Sequence, residues 1–168
     1  FGDEIDFTPG PGKWSIRQLW NHVSDCERLF VFRAFWFARG FDSPLASFDQ
    51  DPASAAARAD DVSWANHIEE FRGVRLATVA FFRNLPPEAW PKKGIASGNP
   101  CTVRALAYIV AGHASHQHSE RGVGHVPRIA EEQLVSALSA QHDAHAVGVK
   151  SLGQLLEGAG HSIGREGI

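Results

Sequence analysis

VRALAYIVAGHASHQH, residues 103–118, is the stretch on which the reading of this chain turns. Val103, Leu106, Ile109 and Val110 recur at helical spacing, and His113 and then Gln117 continue the same face. His113, His116 and His118 crowd the end of that apolar run. A neutral imidazole turned toward a helical core needs a hydrogen-bond partner or a metal. An HxxH or HxxxH spacing brings two side chains to one helix face, close enough to share a cation. The same spacing also describes two polar residues near a helix end.

A second helix with histidine lies far upstream. Ser15 is a natural N-cap, and from Ile16 the apolar residues Leu19, Trp20, Val23, Cys26, Phe30, Ala34 and Phe37 keep helical spacing as far as Gly40. His22 falls along the edge of that stripe, three residues after Leu19 and four before Cys26. Two separated helices that each bring histidine to an apolar stripe are a simple way for a bundle to build a metal site. Without such partners, His22 is a boundary histidine. Asp25 is placed to hold the second nitrogen of the His22 ring, a common device for ligating histidines. Cys26 reads first as a small buried core residue, with ligation or nucleophilic attack as its other roles.

Between these helices, residues 41–60 read as a long loop with one helical turn at 53–59, either covering a site or simply connecting. A helix then runs from near Asp61 or Ser63 to about Leu85, where Pro86 and Pro87 stop it. His67 lies beside its stripe with no second histidine at helical spacing, and reads as structural or exposed. Residues 86–101 read as a Pro- and Gly-rich loop, and Thr102 caps the late helix.

Composition narrows the function classes. The chain has 168 residues, 43% hydrophobic and 21% charged, the proportions of one globular domain. A net charge of −3 gives no electrostatic case for nucleic acid. No apolar run is long enough to cross a bilayer, and the acidic opening is unlike a secretory signal. Cys26 and Cys101 form no CxxC pair, so a reducing, cytoplasmic setting is expected. No Ser/His/Asp arrangement, phosphate loop or dinucleotide fingerprint stands out.

The ends differ from the middle. The chain contains no methionine and reaches a Pro/Gly turn by Pro9, which suggests an element upstream. Beyond Gln117 the sequence turns rich in Gly and His, and residues 118–168 read as an atypical segment, partly helical or disordered, after a helical unit at 1–117. His142 and His145 form another HxxH there without apolar support. Adventitious metal binding by His118, His125, His142 and His145 is the alternative to a site at His22 and His113.

Three stretches together carry a family resemblance: PGKWSIRQLWNHVSDCE, the helix ARADDVSWANHIEEFRGVRLATVAFFRNLPPEAW, and GIASGNPCTVRALAYIVAGHASH. Over roughly residues 9–117 the chain resembles the DinB/YfiT superfamily. The resemblance implies an all-α four-helix bundle, here lacking its first helix. It also implies a divalent metal such as Zn²⁺ or Ni²⁺ held by three histidines, one from the second bundle helix and two, at i and i+4, from the fourth. On that pattern His22 matches the lone ligand and His113 the first of the late pair. Gln117 occupies the position of the third ligand, and His116 a neighbouring one that is often histidine. A Gln oxygen is a weaker ligand than imidazole for these metals. A truncated start and a reading frame shifted near codon 117 would account for the departures at both ends.

By resemblance, the activity is that of a metal-dependent transferase or hydrolase on a small electrophilic substrate, with a low-molecular-weight thiol as co-substrate. His22 and His113 would ligate, Gln117 or His116 would complete the set, and Asp25 would orient His22. A homodimer is expected. The competing reading is a degenerate, non-catalytic bundle acting through dimerisation, because apolar faces left by a missing helix seek partners.

Overall fold

A computed structural model describes residues 5–8 and 10–119, with side chains as far as Ala114. The expectations for residues 118–168 concern side chains and segments outside that range. The described chain is mostly helical: α1 (Ile16–Ala38), α2 (Gln50–Ala57), α3 (Trp64–Arg83) and α4 (Val103–Ser119). Two short strands, β1 (Lys93–Ala96) and β2 (Asn99–Thr102), stand between α3 and α4.

Each long helix starts where a hydroxyl can serve its first turn. Ser15 accepts from the Gln18 backbone N–H while the Gln18 side chain accepts from the Ser15 N–H, a reciprocal capping box. Ser63 accepts from the Asn66 N–H, and Thr102 from the Ala105 N–H at 3.0 Å. Each such cap contributes about 1 kcal/mol. At the other end, α1 stops at Arg39, with Gly40 in the left-handed region at φ 87°.

Helix α1 is the central element, packed against both α4 and α3. Phe37 on α1, Phe82 on α3 and Leu106 on α4 are almost fully buried, and Trp90 closes that end against the Phe82 ring. Gly94 lets β1 pass directly over the Phe37 ring, where any Cβ would overlap it. Phe32, Phe35 and Phe41 stay exposed near the end of α1, and Phe41 stacks on Trp36 at 4.2 Å.

The expected loop at 86–101 is instead a β-hairpin, which departs from a purely α architecture. Ser97 and Gly98 carry its tight turn with both φ values positive, 51° and 74°. Two central residues with positive φ match the natural twist of paired strands. The strands are too short, and Pro100 too unlike a strand residue, to announce themselves by alternation. Leu45 bonds to the same hairpin through Ile95 and Ser97, so the segment after α1 is tied down. Helix α2 is longer than the expected single turn and packs on α1.

Candidate metal centre

The site forms where α1 and α4 cross. His22 and Cys26 are one turn apart on α1, 6% and 4% exposed. From α4, half-buried His113 brings its ring to 5.4 Å from that of His22, edge to face. One donor atom from each of His22, Cys26 and His113 lies within 4.8 Å of the other two. Aromatic rings wall the cluster: Trp14 sits 4.8 Å from His22, and Phe30 5.7 Å from His113.

Two imidazoles and a thiol form a donor set that suits Zn²⁺ and its neighbours in the divalent series. Around a tetrahedral zinc, ligand atoms stand about 3.3–3.8 Å apart, given bond lengths of about 2.0–2.3 Å. The observed spread is wider by roughly an ångström, so binding an ion would draw the three donors together. The residues fit the metal their family resemblance implies, with Cys26 as a third donor.

Burial sets the protonation states. It pushes the His22 pKa below the ordinary imidazole value, while the charges of Asp25 and Asp51 pull the other way. A neutral ring keeps a lone pair free for a cation. Burial pushes the Cys26 thiol up to about 12, helped by Asp25 and opposed by Arg33. In the metal-free protein Cys26 therefore carries its proton, and its Sγ lies 3.4 Å from Nε2 and 3.6 Å from Nδ1 of His22.

Asp25 does not sit where the spacing suggested. Its carboxylate accepts from the Asn21 amide at 2.9 Å and from Arg28 at 3.2 Å, and it acts on His22 through charge alone. Asp51 on α2 adds to that field, so the segment between α1 and α3 contributes to the site. His67 lies elsewhere, 1% exposed, with its Nε2 2.9 Å from the Ala59 carbonyl. His116 and Gln117 belong to the last turns of α4, and their side chains lie outside the described residues. Cys26 is the site residue that periodicity alone ranked as core. Its i+4 spacing from His22 was the available signal.

A helical bundle with a buried imidazole–thiol–imidazole cluster between two of its helices defines the class. The model of the DinB superfamily matches residues 2–120, and the chain belongs to that superfamily. A similar solved structure is YfiT from Bacillus subtilis, 14% identical, with a TM-score of 0.58 over 83% of this chain and 74% of that chain. YfiT is described as a probable metal-dependent hydrolase with an unusual four-helix bundle topology. At that identity the likeness is one of fold. No curated protein matches the chain. Among the described residues, no helix is long and apolar enough to cross a membrane.

Proposed function

We propose that this protein is a metal-dependent hydrolase acting on a small electrophilic substrate, with the metal held by His22, Cys26 and His113. The observation that carries the reading is the convergence of those three donors from two helices within 4.8 Å. The description of the structurally similar YfiT as a probable metal-dependent hydrolase supports the same direction. A divalent cation at this position would supply Lewis acidity toward the reacting group.

The chain's own residues do the rest. Burial keeps His22 neutral and available as a donor at neutral pH. Trp14 and Phe30 pack against the His22 and His113 rings, and an apolar neighbour strengthens the polar interactions beside it. Asp25 and Asp51 add negative potential that favours a cation. Cys26 takes the role that Gln117 fills poorly, and must release its proton to do so.

The test is hydrolysis of a panel of small activated esters and amides, with and without an added low-molecular-weight thiol. Turnover that a chelator abolishes and Zn²⁺ or Ni²⁺ restores supports the reading, and acceleration by thiol would make the acceptor a thiol rather than water. Turnover indifferent to the chelator and to His113→Ala would remove it.

A further inference from the structure

Arg33 is a buried charge without an opposite charge beside it among the described residues. It is 6% exposed, and it stands two turns beyond Cys26 and three beyond His22 on the same stripe of α1. Both of its hydrogen bonds leave from Nη2, to the Ala46 carbonyl and to the Ser97 hydroxyl, each at 2.9 Å. Its Nε is buried with no hydrogen-bond partner among the described residues. No carboxylate lies within ion-pair distance of it among those residues, whereas the other buried arginine, Arg75, has Glu27 at 2.8 Å.

A guanidinium cannot shed its proton to escape the cost of burial, so an unpaired one is costly to keep. Its two hydrogen-bond acceptors, the Ala46 carbonyl and the Ser97 hydroxyl, carry no charge to offset that cost. Two neutral acceptors satisfy part of a five-donor fork, and the rest suits an oxyanion. Arginine matches the planar geometry of carboxylate and phosphate better than any other side chain.

We infer that Arg33 binds the oxyanion group, carboxylate or phosphate, of a small ligand lodged between α1 and the hairpin, two turns along α1 from Cys26. The assignment of that ligand as the substrate rests on the hydrolase reading; the anion site itself does not. The substrate class would then be an acid long enough to reach from Arg33 toward the cluster, two to three turns along α1. Ser97, held at φ 51° by the hairpin turn, fixes one edge of the guanidinium and leaves the other donors for the ligand.

The experiment follows the Arg33 Nε–H signal in ¹⁵N–¹H spectra of the full-length protein, assigned by its loss in Arg33→Lys. Malonate, inorganic phosphate and the neutral malonamide are titrated in turn, and zinc content is measured on the same samples. Saturable movement with malonate or phosphate but not malonamide is expected, and the stronger of the two anions names the group. By calorimetry, Arg33→Lys should weaken that binding at least tenfold. Arg72→Lys, at an exposed arginine of α3, should change it less than threefold. No saturable movement, or equal affinity in Arg33→Lys, would overturn the proposal. Anion binding that persists in protein unable to hold zinc would uphold the anion site and count against the hydrolase reading alone.

Discussion

The sulfur of Cys26 lies 3.4 Å from Nε2 of His22, one helical turn away and buried with it, and His113 faces both from α4. The thiol is held up to about 12 by burial, so it is protonated at neutral pH. Ligation needs the thiolate. Zinc uptake at pH 7 should therefore release about one proton per ion from Cys26. Calorimetry in buffers of different ionisation enthalpy measures that count, which should fall by about one in Cys26→Ala. An unchanged count would mean that the sulfur is not a ligand.

His22 gives the metal-free protein a pH dependence of its own. Burial lowers its folded pKa below the ordinary 6.5, so the unfolded chain binds the proton more readily. The stability linked to this ring is present above about pH 6.5 and is lost as pH falls through the window below it. Urea unfolding at pH 7.5 and 5.5 should show that loss in the native chain, in about the proportion the shift dictates, and a smaller one in His22→Gln.

Away from the site, Glu27 and Arg75 pair at 2.8 Å between α1 and α3, 2% and 4% exposed. Burial raises the Glu27 pKa, while the charge of Arg75 opposes the shift. Removing one partner strands the other charge. Glu27→Leu alone should cost about 3–5 kcal/mol by urea unfolding. The double variant Glu27→Leu, Arg75→Met should recover most of that loss.

Gly94 is required by contact rather than by φ. The Phe37 ring, 1% exposed, occupies the place of any Cβ there. Gly94→Ala should destabilise the protein by about 1–3 kcal/mol, because the ring has nowhere to move. The thermal midpoint measures this, with the exposed Gly73→Ala as the stabilising comparison on α3, where open space surrounds the added methyl.

The helices were legible because their signals are local. Ser15, Ser63 and Thr102 mark the starts, and Leu19, Phe71 and Leu106 mark the buried faces. The hairpin was not, since its strands are held by Leu45 and by the Ser97–Gly98 turn rather than by alternating side chains. His22 and His113 stood out by helix spacing and family resemblance, and the structure sets their rings side by side. Cys26 was hidden by its type, because a small buried thiol is ordinarily core. Arg33 was hidden by its charge within the apolar run FVFRAFWFA, yet its seven-residue spacing from Cys26 puts it on the inner stripe. Asp25 had the right spacing, but Asn21 and Arg28 take its oxygens.

One ion held by His22, Cys26 and His113 between α1 and α4 is the central proposal, and metal content by elemental mass spectrometry tests it. The purified protein should carry about one Zn²⁺ or Ni²⁺ per chain, as a site with three protein ligands does. His113→Ala and Cys26→Ala should each lose most of it, and Gln117→His should retain it. A native chain without metal, or one whose content is unchanged in His113→Ala, would contradict the account.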